Sequence, residues 1–322
     1  MNKQVELLNN EGVQLFLKGR FKDAKVKYNK ALSQLPNYAT ALNNLGMVCL
    51  QEKEYEKAKL YFKDAIKENI SATYILNLGH AYANLGQVKE AEENYFKSIE
   101  LNPNSIMAWK SIAALYQFQK LFYKSSEIWE HILNKLSHDN YFRIQLVKDF
   151  IKLKEYRNAL TVLHEASISD KHKELIWYYT ALIHFNNKNF GLAEVAIKKS
   201  LAILPDNESF RRLGASIYLG LNDLEEALKQ WDFLLNIDRN NHLARVDKAV
   251  ALLAYHRENM ALKEFNLVIS LDNNNYKAHY YKALVLIELG KKNEALQILT
   301  FLINLENEYK DCAVELIKKL TS

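Results

Sequence analysis

The chain has 322 residues, and its 9 glycines and 3 prolines make up about 4% of it, against a usual level of about 12%. So few turn-formers argue against a sandwich, a barrel or a Gly-rich nucleotide fold, and for long helices joined by short polar turns. Lysine and arginine number 43 against 38 acidic residues, a net +5 spread along the chain, and no basic arm or acidic tail marks a nucleic-acid or membrane protein.

From the N-terminus, MNKQVELLNNEGVQLF carries charges through its first dozen residues and lacks the apolar core and small-residue cleavage site of a leader peptide. No uncharged run approaches the roughly 20 apolar residues that span a bilayer. A hydrophobic share of 49% is enough for a packed core, so the expectation is an ordered, soluble, cytoplasmic chain. Cys49 and Cys312 have no partner spacing, which predicts neither a disulfide framework nor a thiolate metal site.

An internal repeat organises the rest. The segment LGMVCLQEKEYEKAKLYFKDAI, from Leu45, returns as LGHAYANLGQVKEAEENYFKSI from Leu78 and as ALVLIELGKKNEALQILTFLI from Ala283. Nine copies align on one small residue, Ala24, Ala58, Ala91, Ser125, Ala159, Ala193, Ala227, Ala261 and Ala295, at spacings of 34 or 33 residues. Twelve residues earlier runs a second small series, Gly12, Gly46, Gly79, Ala113, Val147, Ala181, Ala215, Ala249 and Ala283, in which only Val147 is bulky. Pro36, Pro103 and Pro205 all fall twelve residues after the anchor, where proline stops a helix. Arg239 and Asn273 take that place within IDRNN and LDNNN, turn-forming sequences.

The copies run 5–38, 39–71, 72–105, 106–139, 140–173, 174–207, 208–241, 242–275 and 276–309. Residues 310–322, with Lys310, Glu315, Lys318 and Lys319 interrupting an apolar helix, read as a cap. Because Ser322 follows that cap, the chain is expected to be complete.

With phases counted from the first residue of each copy, copy three shows Ile75, Leu78, Gly79, Tyr82, Ala91, Tyr95, Ser98 and Pro103 at phases 4, 7, 8, 11, 20, 24, 27 and 32. This pattern resembles the tetratricopeptide repeat family, whose unit is two antiparallel helices per 34 residues. The resemblance implies an all-α fold, a right-handed α-solenoid of about nine helical hairpins plus a C-terminal capping helix. Small residues at phases 8 and 20 let paired helices approach, and stacked hairpins share a core that none could form alone. Trp109 and Trp177 at phase 4, and Trp129 and Trp231 at phase 24, fall on packing positions. Arg143, Arg211, Arg245 and His279 depart from the pattern at phase 4, as do Thr180, Gly214, Lys248 and Lys282 at phase 7; less regular packing is expected there.

Chemistry is scarce. No phosphate-binding loop, dinucleotide fingerprint, H-E-x-x-H or G-x-S-x-G occurs. His131 and His138 lack a third ligand type at metal spacing, and the carboxylate clusters EKEYEK and KEAEEN interleave with lysine as solvated faces do. No catalysis, no cofactor and no metal is expected.

In the family the first helix of each hairpin lines a concave groove through phases 2, 5, 6, 9, 12 and 13. Those phases implicate Asn10, Asn43, Asn44, Asn77, Lys110, Gln145, Lys148, Lys152, Tyr178, Tyr179 and Arg212 in partner contact. The strings NNLG and NLG are similar to those in the superhelical repeats of O-linked N-acetylglucosamine transferases, where groove asparagines hold a peptide by its backbone. Carboxamides offer both donor and acceptor, and the cations suit acidic or C-terminal carboxylate groups. The Hsp70/Hsp90 cochaperone clamp is absent from copies one to three, which show Asn9 and Val13, Asn44, then Thr73 and Asn77. The implied function is a non-catalytic scaffold that binds an extended or helical protein segment in its groove. Two alternatives are the substrate-binding portion of a larger enzyme such as a glycosyltransferase, and a helical-repeat RNA binder; inward-facing Asp247 and Glu288 argue against the latter.

Overall fold

The structure is a computed structural model that describes residues 3–166 and 171–321. The end of the fifth copy, residues 167–170, and the last residue of the cap lie outside the described residues. The fold is all-α, with nineteen helices and no strand among the described residues. The chain divides into two units, residues 1–164 and 165–322.

Unit 1 holds α1 (Lys3–Leu17), α2 (Phe21–Gln34), α3 (Ala39–Gln51), α4 (Tyr55–Glu68), α5 (Ala72–Asn84), α6 (Val88–Leu101), α7 (Ile106–Phe118), α8 (Phe122–Lys135) and α9 (Asn140–Lys152); α10 (Tyr156–Ala166) reaches the division. Unit 2 holds α11 (Lys173–Asn186), α12 (Phe190–Ile203), α13 (Glu208–Gly220), α14 (Leu224–Ile237), α15 (His242–Ala254), α16 (Glu258–Leu271), α17 (Tyr276–Glu288), α18 (Lys292–Ile303) and α19 (Lys310–Thr321). Helices α1–α8 and α11–α18 pack pairwise as hairpins, each second helix packs on the next first helix within its unit, and α19 closes on α18. Ala313 of α19 is fully buried among Leu299 and Leu302, as a cap requires.

One turn recurs at every hairpin. Gly19, Lys53, Gly86, Lys120, Lys154, Lys188, Asn222, His256 and Gly290, all at phase 15, have φ between 54° and 74°. The next residue returns its N–H to a carbonyl five positions back, as in Glu54 to Cys49 at 2.8 Å and Leu121 to Tyr116 at 2.8 Å. That left-handed closure satisfies the carbonyls left open at a helix end. Between hairpins α2, α6 and α12 stop two residues before Pro36, Pro103 and Pro205. Ser105, Asn207, Asn241 and Asn275 then accept from the backbone of the next helix's first turn, the usual N-cap bond.

In the first three copies the glycine at phase 8 leaves room for the aromatic ring at phase 24. A Cβ added to Gly46 or Gly79 would stand 2.5 Å from the Phe62 ring or 2.6 Å from the Tyr95 ring. Bulky Val147 is tolerated because its counterpart in the fifth copy is Leu163, not an aromatic; both are buried. Trp129 and Trp231 are core residues at 2% and 3% exposure.

Leu8 and Ile75 at phase 4 are core residues, but later phase-4 positions depart from that role. Trp109 and Trp177 are half-buried. Trp109 donates from Nε1 to the Pro103 carbonyl at 2.8 Å, and Lys199 lies 4.0 Å over the Trp177 ring. Arg211 donates to the Pro205 carbonyl, Arg245 to that of Arg239, and His279 pairs with that of Asn273. Each of these side chains reaches six residues back to the phase-32 carbonyl, stapling the inter-hairpin turn. Arg143 reaches the neighbouring His138 carbonyl instead. At Trp109, Arg211, Arg245 and His279 the side chain gives that carbonyl a partner, as a carbonyl withdrawn from water needs.

Phase 7 is explained as directly. Gly214 lies beside Gln230, which accepts from Arg211 at 2.7 Å. Lys248 pairs with Asp232 at 2.7 Å and Glu264 at 3.0 Å, and Arg245 with Glu264 at 2.6 Å.

Candidate partner-binding face

In unit 1 the first helices α1, α3, α5 and α7 neighbour one another in turn, so residues at equal phase recur along one face. On it four asparagines form a hydrogen-bonded chain. Asn77 donates to Asn43 at 2.8 Å, Asn43 to Asn44 at 3.4 Å, and Asn44 to Asn9 at 2.9 Å. Asn9, Asn43 and Asn77 are buried at 4%, 6% and 8% exposure, Asn44 is half-buried, and Asn10 is exposed. Asn44 and Asn77 therefore communicate through Asn43 rather than standing as two open carboxamides. A chain of amides in low dielectric polarises along its length, and part of its bonding capacity is used internally.

Next to this chain, between α5 and α7, lies a cleft of about 360 Å³. Ala83 and Ala114 leave it hollow, and Met107 and Phe118 stand at its margin, 57% and 81% exposed. His80 lies in it with Nδ1 3.0 Å from the Tyr95 hydroxyl. Burial lowers the His80 imidazole pKa and pushes the Tyr95 phenol up to about 12, so both are neutral at neutral pH. Lys110 also lines the cleft, its ammonium 4.8 Å from the centre of the Tyr141 ring, a cation–π distance.

On α9, Gln145 and Lys148 are half-buried and Lys152 is exposed. Beside Lys148, Asp149 is buried at 1% exposure and accepts from Gln117 at 2.7 Å and Ser125 at 2.5 Å. Desolvation raises its pKa, against those bonds. Asp149 thus ties α9 to α7 and α8 and faces inward.

In unit 2, Tyr178 stacks on Phe210 with centroids 4.8 Å apart and meets Tyr179 edge-on at 5.1 Å. Both are half-buried; desolvation pushes the Tyr179 phenol up to about 12 and raises that of Tyr178. Arg212 donates twice to Asp247 at 2.9 and 2.7 Å, and Lys277 approaches the same carboxylate at 3.6 Å. The Arg212 cation is therefore matched locally.

The candidate residues thus fall into two sets. Asn10, Asn43, Asn44, Asn77, Lys110, Gln145, Lys148 and Lys152 belong to unit 1, and Tyr178, Tyr179 and Arg212 to unit 2. Sequence reasoning missed His80, Ala83, Met107, Ala114 and Phe118. All five occupy the groove phases 9, 12, 2, 9 and 13, so reading every residue at those phases, and not amides, cations and two tyrosines alone, would have found them. Among the described residues no group of three or more His, Cys, Asp or Glu is placed to hold a metal, and no helix is long and apolar enough to cross a membrane.

Residues 39–69 and 72–105 each match a tetratricopeptide repeat family model. The chain is 24% identical over 276 residues to BBSome complex member BBS4 of Bos taurus, covering 74% of this chain and 52% of that one. It is 26% identical over 140 residues to anaphase-promoting complex subunit 3 of Schizosaccharomyces pombe, covering 42% and 21%. The chain therefore spans about half the length of the first relative and about a fifth of the second. The C-terminal part of a TPR repeat-containing protein from Cytophaga hutchinsonii superposes with a TM-score of 0.62 at 15% identity, covering 73% of this chain and 97% of that one; this likeness is one of fold.

Proposed function

Because the chain belongs to the tetratricopeptide repeat family, we propose that it is a non-catalytic protein-interaction scaffold whose first-helix face receives an extended or helical segment of a partner. Two relatives are by name members of multi-protein complexes, which supports a scaffold in general. The observation that carries the choice of face is the continuity of polar and apolar binding elements on α1, α3, α5 and α7. A chain of carboxamides adjoins an open apolar cleft with a lysine at its edge.

Exposed Asn10 and half-buried Asn44 supply amide contacts to a partner backbone, and Lys148 and Lys152 supply charge. Partly exposed cations act mainly on association rate and salt dependence. Aromatic Tyr178 and Tyr179 offer a second contact surface on unit 2, since amphipathic rings are favoured at interfaces.

The test is affinity purification with three forms of the intact chain, followed by mapping of the captured partner to a segment. One form is wild type, one carries Asn10→Ala, Asn44→Ala, Lys148→Glu and Lys152→Glu, and one carries Lys97→Glu and Lys135→Glu on the second helices α6 and α8. Loss of the partner only with the first-helix variant supports the proposal. Loss only with the second-helix variant refutes it.

A further inference from the structure

We infer that the cleft between α5 and α7 is a specificity pocket for one anchor residue of the bound protein segment, a large apolar side chain of Leu, Met or Phe with an acidic residue close to it. This inference rests on the proposal that the first-helix face is the binding surface, and adds what the partner must carry.

Shape comes first. Ala83 and Ala114 are small where neighbouring groove positions are large, so the wall is hollow. Its volume of about 360 Å³ falls at the lower end of the roughly 300–1,000 Å³ typical of ligand pockets. Met107 and Phe118 stand at the margin mostly in water, and an inserted apolar group would shield them. Burial of one large apolar side chain removes much apolar surface from water, so a single anchor can dominate recognition, as hot spots do.

Polarity comes second. His80 is the polar ring inside the cleft, and its Nδ1 is engaged by Tyr95. A neutral imidazole committed to a tyrosine does not attract a charged side chain into the cavity. Lys110 is the charged residue in the lining, no carboxylate lines the cleft, and Lys148 and Lys152 follow on α9. That sign of charge favours Asp or Glu beside the anchor and disfavours Lys or Arg.

Register comes third. Asn77 lies on α5 three residues before His80, on the same helical face. A segment whose backbone passes the amide chain reaches the cleft within one turn of α5.

The test is selection of random twelve-residue peptides displayed on phage against the intact chain, in parallel with Ala114→Trp and Lys110→Glu. Ala114 is exposed, so tryptophan there fills the cleft without entering the core. Amidated synthetic copies of the selected peptides are then measured by fluorescence anisotropy, and each variant's fold is checked by thermal melting. The expected result is a shared Leu, Met or Phe with Asp or Glu within two positions. Affinity should drop about tenfold or more on Ala114→Trp, and Lys110→Glu should select Lys or Arg in place of the acid. If Ala114→Trp melts early, Met107→Asp at the exposed margin is used and should cause the same loss. Peptides that ignore the cleft variants but weaken with Asn10→Ala and Asn44→Ala overturn the pocket and leave the face assignment standing. Peptides that ignore every first-helix variant, or no enrichment above an unrelated helical control, overturn both.

Discussion

Asn77 on α5 donates its Nδ2 to Oδ1 of Asn43 on α3, 2.8 Å away and 34 positions earlier, with both side chains buried. One helical repeat thus reads the register of the next through a single amide bond, and the chain continues through Asn44 to Asn9.

Removing its middle member should therefore cost fold stability as well as binding. Asn43→Ala leaves the Asn77 donor without its acceptor, at about 1–3 kcal/mol for an orphaned buried group. The pair Asn43→Ala and Asn77→Ala should cost less than the sum of the singles, with a coupling of about 0.5–3 kcal/mol. A double-mutant cycle read by hydrogen exchange in α3 and α5 checks this; strict additivity would contradict it.

Two helical glycines should respond to alanine with opposite signs. At Gly79 the new Cβ would meet the buried Tyr95 ring at 2.6 Å, and overpacking costs about 1–3 kcal/mol. At Gly214 the nearest atoms lie at 3.8 Å, so Gly214→Ala should stabilise α13 by about 1 kcal/mol through helix propensity alone. Thermal melts of the two variants should move in opposite directions.

Much of this fold was legible in the sequence because it rests on local steric rules repeated nine times. Small residues at phase 8, prolines at phase 32 and the Asp/Asn-rich turns each correspond to a feature of the helices. Less legible was what replaces a rule. Arg211, Arg245 and His279 looked like defects at a packing phase, yet they serve a carbonyl six residues away that no spacing argument had considered. The candidate site was half legible. Groove phases pointed to Asn43 and Asn77 without revealing that both are buried and bonded to each other, because rotamers and depth are not functions of spacing. The cleft is not legible from residue type because Ala83 and Ala114 make it by lacking side-chain volume. Arg212 read as an open cation, although Asp247, one repeat and one phase later, was available to pair with it.

The ion network of unit 2 gives a third expectation. Burial pulls the Glu264 carboxyl upward, but Lys248 and Arg245 more than reverse this and leave it below its ordinary value. Its stabilising contribution is therefore present above pH 4.5 and lost as pH falls through the lower folded value. Glu264→Ala leaves Arg245 without its carboxylate and Lys248 with Asp232 alone, which should destabilise unit 2 towards the lower end of about 3–5 kcal/mol. Replacing Arg245, Lys248 and Glu264 together by leucine should cost much less. Chemical denaturation of both variants at neutral pH tests the contrast.

His80 carries the pH signature of unit 1. Its pKa lies below the ordinary 6.5 because burial disfavours the imidazolium. The unfolded chain takes up that proton first, so this contribution to stability is full above pH 6.5 and declines as pH falls through the folded value. Proton–nitrogen NMR should show a titration midpoint below 6.5 for His80. The loss of stability between pH 7 and 5.5 should be smaller in His80→Gln than in wild type.

Where the partner touches the chain is the most direct question, and photo-crosslinking answers it at residue level. A benzophenone amino acid is placed singly at Asn10 and Lys152, exposed on the first helices α1 and α9, and at Lys97 and Lys135, exposed on the second helices α6 and α8. Each form is irradiated with the mapped partner segment, and adducts are sequenced by mass spectrometry. Adducts at Asn10 and Lys152 with none at Lys97 or Lys135 are the predicted result. Adducts confined to Lys97 and Lys135 would place the partner on the second helices and contradict the first-helix face as the binding site.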